Sequence, residues 1–351
     1  MDSPRHPGIV AALGAALLFG AGTPAAKLLL EGISPWLLAG VLYLGSGIGL
    51  AIFRGIRRAA PVALAAGDIG WLAAATVFGG IAAPVLLMWG LSGTPASTAS
   101  LLLNAEGVLT ALIAWFAFRE NFDRRIALGM ACIVAGAVVL AWPERDAAEI
   151  GGGTVHSALA VVGACLAWAI DNNFTRKVSL ADATYVAMVK GLAAGATNTA
   201  IAFAIGAAMP SIWSVLAGAA FGFVSYGLSL VLFVVALRHL GAARTGAYFS
   251  TAPFVGALLA VAVLGEPVSF RLGLAVLLMG TGVWLHVTER HEHTHTHEGM
   301  EHDHEHEHDE HHQHEHDFSA TAGTRHSHRH RHEAMTHSHR HYPDAHHRHP
   351  H

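Results

Sequence analysis

Glu106 stands twelfth in a 24-residue stretch, 95–118, that holds no other charged residue. An ionisable side chain in hydrocarbon costs at least ~2.5–3.5 kcal/mol on insertion scales, so it must face protein or water. A carboxyl at that depth is what a proton relay uses; a structural carboxyl that stays paired is the other reading. One turn on, the same helix face carries Thr110. Lys190 is the second deep charge, about seven residues into the stretch 184–207, with Thr197 and Asn198 below it. Either Lys190 and Glu106 face one cavity, where they offset each other or clamp a zwitterionic substrate, or the lysine snorkels to the interface. Asp171, Asn172 and Asn173 form a polar triplet near the end of another apolar stretch. At 100° per residue the three cannot share one helix face. Asp171 is expected at the cavity, and the asparagines line it or hydrogen-bond between helices. Tyr226, with Ser225, Ser229, Ser250 and Thr251, offers hydroxyls to the same region or to helix packing.

A different chemistry fills residues 291–351, which hold 23 of the chain's 27 His. His291, His293, His295 and His297 alternate with Glu and Thr, and His302, His304, His306 and His308 with Asp and Glu. Imidazole ligates Zn, Ni, Co and Cu, and alternation places many donors within reach of one ion. Carboxylates before 318 and arginines after 324 favour divalent binding in the first half. No hydrophobic periodicity survives there, so the segment is expected to be disordered. It is a metal buffer or sensor, a regulator by metal or pH, or an extension of little consequence.

Elements must position these groups. Of the 351 residues 53% are hydrophobic and 13% charged, against about 25% charged in a soluble protein. Residues 1–290 carry 16 Lys+Arg and 13 Asp+Glu, net +3; residues 291–351 carry 5 Arg and 12 Asp+Glu, net −7. The first part is too apolar for a soluble domain and the second too polar for a core. A helix crosses a bilayer with roughly 20 apolar residues. Ten such stretches recur, at about 8–30, 35–53, 69–91, 95–118, 126–142, 154–175, 184–207, 213–237, 243–264 and 270–287. Spans five and ten are the shortest. The runs are continuous rather than alternating, which excludes a strand barrel. The first, with no small-residue cleavage pattern after it, reads as a retained span. Even-numbered loops hold ten Lys and Arg against two, Arg145 and Arg271, in the odd ones. Both termini are therefore expected in the cytoplasm. Cys132 and Cys165 fall inside spans and read as small buried side chains.

The chain repeats itself. Residues 104–120 (NAEGVLTALIAWFAFRE) lie over 250–266 (STAPFVGALLAVAVLGE), and 18–27 (LFGAGTPAAK) over 167–176 (AWAIDNNFTR). Span one thus matches span six and span four matches span nine, so with five spans per unit the second copy enters the membrane from the other side. Inverted-topology repeats are typical of secondary transporters, whose substrate sites lie near the midplane between the copies. Lys27 and Arg176 occupy equivalent positions and read as interface anchors. Pro24, Pro84 and Pro253 each free a carbonyl within a span. Gly45/Gly49, Gly191/Gly195 and Gly218/Gly222 are GxxxG pairs that let helices approach closely.

These residues also carry a resemblance. Phe19-Gly20 followed by Lys27, Pro253-Phe254-Val255 followed by Gly265-Glu266-Pro267, and Glu106-Gly107-Val108 followed by Arg119-Glu120 resemble the motifs of EamA-type transporters in the drug/metabolite transporter superfamily. Gly107 stands where that family usually has proline and Phe19 where it usually has tryptophan. The resemblance covers residues 8–288 and implies a membrane exporter of small metabolites or toxic compounds, often driven by exchange with protons. For Lys27 it implies a structural or gating role.

No HExxH, GxSxG or P-loop is present, so enzymatic chemistry and nucleotide-driven transport are not expected. The expected fold is an all-α integral membrane protein of ten transmembrane helices in two inverted five-helix repeats, 8–142 and 154–288, plus a disordered cytoplasmic His-rich tail, 291–351. The expected function is secondary export of a small solute across the plasma membrane in exchange for protons. Glu106 serves coupling, and Lys190, Asp171, Asn198, Asn172 and Tyr226 the cavity. No cofactor is required; the partners are lipid, a small-molecule substrate, protons and divalent metal ions at the tail, with no nucleic acid. Export of Ni, Co or Zn with the tail as metal-binding arm is the alternative, and a metal-responsive membrane sensor is a third.

Overall fold

The computed structural model describes residues 5–60, 62, 64, 66–118, 124–142, 153–175, 178, 182–288, 292–297, 301–306, 326–331 and 335–340. Two units separate, 1–289 and 290–351. The elements of the first among the described residues are all helices: α1 (Arg5–Leu29), α2 (Pro35–Ile56), α3 (Ala66–Ala75), a π segment (Thr76–Ala82), α4 (Ala83–Ser92), α5 (Ala96–Leu102), α6 (Ala105–Phe118) and α7 (Arg124–Ala141). Then come α8 (Gly153–Thr175), α9 (Ala183–Ala204), α10 (Ile212–Gly222), a second π segment (Phe223–Leu228), α11 (Ser229–Phe249), α12 (Ala252–Leu264) and α13 (Phe270–Val287).

Local chemistry sets several ends. Pro35 opens α2 directly after Ser34, where its fixed φ suits a first helical turn. The Asp182 carboxylate accepts from the Tyr185 amide at 3.0 Å and caps α9. Gly265, at φ +68°, ends α12 in the left-handed conformation that a side chain resists.

Among the described residues, seven helices are long and apolar enough to cross a membrane: Pro7–Leu29, Pro35–Ile56, Gly67–Ser92, Ala96–Ile113, Val155–Thr175, Ala183–Ala204 and Ile212–Phe233. Three shorter apolar helices, Ala127–Ala141, Ala252–Leu264 and Phe270–Leu285, fall where the sequence sets spans five, nine and ten. α11 is not a straight rod. The Phe233 and Phe249 rings lie 4.9 Å apart, whereas sixteen residues of straight helix span about 24 Å. The chain therefore folds back within α11, so its start continues span eight and its end begins span nine.

Close packing rests on small residues, as expected where lipid removes the hydrophobic drive between helices. α2 lies between α9 and α10. A Cβ on Gly222 would fall onto the Leu42 carbonyl, and one on Gly45 onto the Ala219 carbonyl. Around this, Leu37, Leu38, Leu87, Met88, Leu91, Leu102 and Val161 form the largest buried cluster.

The second unit is described in four short segments. Among its described residues, β1 (Glu292–His297) pairs antiparallel with β4 (Met335–Arg340), and β2 (Glu301–His306) with β3 (His326–Arg331). The alternation His-X-His has the period of a strand rather than of a helix. The register sets Glu292 opposite Arg340, Glu301 opposite Arg331 and Asp303 opposite Arg329.

Candidate functional site

Span four is broken. α5 stops at Leu102 and α6 starts at Ala105, with Leu103 and Asn104 in a turn between them. The Glu106 amide still reaches back to the Leu103 carbonyl at 3.1 Å. Glu106 thus lies in the first turn of α6, where unpaired amides and the helix dipole favour a negative charge. Span nine is broken within one residue of the equivalent place, at Ser250 and Thr251.

Asn172 of α8 closes on this carboxylate. Its Nδ2 donates to Glu106 Oε1 at 2.8 Å and lies 3.4 Å from Thr110 Oγ1. Asp171, next along α8, faces elsewhere: Lys190 Nζ stands 2.6 Å and 2.7 Å from its two carboxylate oxygens. Thr175 Oγ1 donates to Asp171 Oδ1 at 2.8 Å, and Lys190 Nζ reaches that hydroxyl at 3.3 Å. Asp171 is 6% exposed. The expectation that Lys190 offsets Glu106 is therefore corrected, because the lysine's counter-charge is Asp171. Among the described residues Glu106 makes no ion pair, and its carboxylate accepts from the neutral Asn172. Asn173, third of the triplet, donates to the Ala169 carbonyl of its own helix at 2.8 Å.

The first π segment seats the ion pair. Asp171 packs on Gly79 so closely that a Cβ there would fall inside the carboxylate. The Gly79 carbonyl accepts from Tyr43 Oη at 2.7 Å and Trp168 Nε1 at 3.0 Å, and the Gly80 carbonyl from Asn198 Nδ2 at 3.1 Å. A π turn disturbs the regular i→i−4 ladder, and here side chains from α2, α8 and α9 supply donors to its carbonyls. Asn198 is thus a backbone partner of the bulge, fully buried. Tyr226 lies in the second π segment, its ring 5.4 Å from Tyr43 and 5.8 Å from Phe19. Sequence reasoning missed both π segments, although the offset that lays Asn104 over Ser250 also lays 76–82 over 222–228.

Residues 6–142 and 156–288 each match the model of the EamA-like transporter family. The chain belongs to that family. It is 26% identical over 292 residues to an "Uncharacterized transporter" of Methanothermobacter thermautotrophicus, covering 79% of this chain and 85% of that protein. A solved crystal structure 17% identical in sequence superposes with a TM-score of 0.62, over 80% of this chain and 96% of the other, and shows a shared fold. The family and the apolar helices make this EamA protein a multi-pass membrane transporter.

Of the tail residues with metal-ligand chemistry, His293, His295 and His297 lie in β1 and His302, His304 and His306 in β2. His291 and His308 lie outside the described residues. Among the described residues no group of three His, Cys, Asp or Glu stands close enough to hold a metal ion.

Proposed function

We propose that this EamA protein exports a small metabolite or toxic compound across the plasma membrane in exchange for protons, with Glu106 as the coupling group. The observation that supports this reading is the placement of Glu106 at a mid-span helix break, held by Asn172 and without an ion-pair partner among the described residues, while the neighbouring Asp171 is neutralised by Lys190. Half-helix termini at a broken span are where secondary transporters handle ions and substrates. The body crosses the membrane ten times as two inverted repeats, 8–142 and 154–288. The three short helices and the fold-back in α11 support that count, and the arginine-rich even loops favour cytoplasmic termini. Lys190, Asp171, Asn198, Asn172 and Tyr226 shape the cavity around Glu106.

The test compares solutes in the spent medium of cells carrying the parent chain, Glu106→Gln or no chain, by mass spectrometry, with and without a protonophore. The expected result is a solute enriched outside only with the parent and only while the proton gradient stands. Equal export by Glu106→Gln removes the coupling role.

A second reading attaches to the tail, whose alternating His residues are donors for Zn, Ni, Co or Cu. In it the body exports the metal and the tail delivers it, or the protein senses metal without transport. Total cellular Ni, Co and Zn separates these readings. Metal content lowered by the parent and not by Glu106→Gln supports metal export. Content governed by the tail alone, through a chain stopped at residue 290, supports a buffer.

A further inference from the structure

At the end of the body away from Arg54, Arg57 and Arg58, the three-residue loop Gly93–Pro95 joins spans three and four. It is gripped from two sides. Lys27 Nζ, two residues before the last helical residue of α1, donates to the Leu91 carbonyl at 2.6 Å and the Thr94 carbonyl at 2.9 Å, with Ser92 at 3.4 Å. Glu266, just beyond α12, accepts from the Ala96 amide at 2.6 Å through Oε1 and from the Ser97 amide at 2.9 Å through Oε2. These polarities match the backbone. The last turn of α4 presents unpaired carbonyls and takes a cation, and the first turn of α5 presents unpaired amides and takes an anion. Lys27 and Glu266 come from opposite halves of the chain and bond the same loop rather than each other. Thr94, between them, is 4% exposed with its hydroxyl unpartnered.

We propose that Lys27 and Glu266 are positioning residues that together hold the outer face closed, tying the ends of spans three and four to spans one and nine, so that opening outward requires release of this loop. Neither side chain reaches the Glu106 site. The inference rests on the topology and transport reading above for the word outer, but closure itself is read without any substrate. Bonds to charged groups are strong enough that losing one side of the grip speeds exposure of the loop by roughly tenfold or more.

The experiment uses the full chain in membranes, with Cys132→Ser and Cys165→Ser, and Thr94→Cys as reporter of a membrane-impermeant maleimide. Thr94→Cys breaks no side-chain bond and leaves the carbonyl that Lys27 uses. Labelling is slow in this background and becomes roughly tenfold faster with Lys27→Met or with Glu266→Gln, while Lys27→Arg, which keeps cation and donors, stays slow. The double exchange Lys27→Glu with Glu266→Lys discriminates further. It puts an anion on carbonyls and a cation on amides, so it labels as fast as the single variants. Unchanged labelling in Lys27→Met and Glu266→Gln overturns the grip; slow labelling in the double exchange overturns it in favour of a simple ion pair. Amide hydrogen exchange guards against misfolding: Glu266→Gln accelerates exchange at Ala96 and Ser97 and leaves α7 unchanged, and general acceleration counts against the proposal. A chain that labels as expected yet moves no solute refutes the transport reading alone.

Discussion

The two halves of the membrane body break their fourth helix at the same place and furnish the break differently. In the first half the turn at Leu103 and Asn104 is followed by Ala105, Glu106 and Gly107; in the second, the turn at Ser250 and Thr251 is followed by Ala252 and Pro253. Both third helices carry a π segment. The first has its Gly79 and Gly80 carbonyls bonded by Tyr43, Trp168 and Asn198 and its glycine packed against Asp171. The second leaves the Ser225 hydroxyl buried without a partner. One scaffold thus serves twice, while the titratable carboxyl belongs to the first copy alone. Shape is duplicated and charge at the break is not, which is what the proposed exchange through a single coupling group requires.

The largest effect expected from testing that contrast is on the ion pair. Lys190→Met leaves the Asp171 carboxylate buried against Gly79 without its counter-charge. Stranding one partner of a buried pair costs about 3–5 kcal/mol, so thermal unfolding in detergent should fall by many degrees. Lys190→Met together with Asp171→Asn should recover most of the loss; no recovery means the pair is not the unit described.

A smaller difference separates the π segments. Tyr43→Phe removes one of two donors to the Gly79 carbonyl and should cost about 1 kcal/mol. Ser225→Ala removes an orphan hydroxyl and should be neutral or stabilising. Denaturation of both variants side by side checks the sign, and a costly Ser225→Ala would show that the second bulge also depends on a polar contact.

Making the first break resemble the second should do little. Gly107 lies in the first turn of α6 with nothing within 4 Å of a Cβ built there. Gly107→Pro should therefore be neutral or stabilise by about 0.4–1 kcal/mol through the unfolded chain. A strong destabilisation would place the start of α6 elsewhere.

The smallest effect concerns the second helices of the two halves, α2 and α9. Ser34 leaves its cap unmade by side chain, whereas Asp182 caps α9 and meets Arg54 at 3.0 Å. Partial burial works against the Asp182 charge, but the Tyr185 amide and the Arg54 guanidinium outweigh it and hold the carboxyl below the usual carboxylate range. A lowered folded pKa contributes stability above the unfolded value of about 3.9, lost as pH falls through the folded one. Asp182→Asn should thus lower stability slightly at neutral pH and flatten its fall below pH ~4, parent and variant converging in acid, as thermal unfolding across pH would show.

Much of this architecture is legible in the residues, and the reasons for the rest are physical. Apolar length and glycine spacing are local quantities, so the long spans and the close approach of Gly45 to Ala219 and of Gly222 to Leu42 follow from the chain itself. The repeat is legible because NAEGV and STAPF keep their frame. The break at Leu103 and Asn104 is not, since neither residue is a helix breaker and the apolar run continues through it. π turns leave no mark in composition. The partner of Lys190 could not be chosen, because depth alone favours mid-span Glu106 over Asp171 near the end of its span, and only the packing of α8 and α9 on the first π segment brings Asp171 to the lysine. Lys27 reads as an interface anchor until the carbonyls of a loop 64 residues away are placed around it.

The central claim, that Glu106 alone couples the body to protons, is tested most directly in liposomes holding a pH-sensitive dye and the solute identified from spent medium. The account predicts that a solute gradient drives proton movement with the parent chain. With Glu106→Gln, solute-for-solute counterflow continues while proton movement stops. Proton movement undiminished in Glu106→Gln would contradict it.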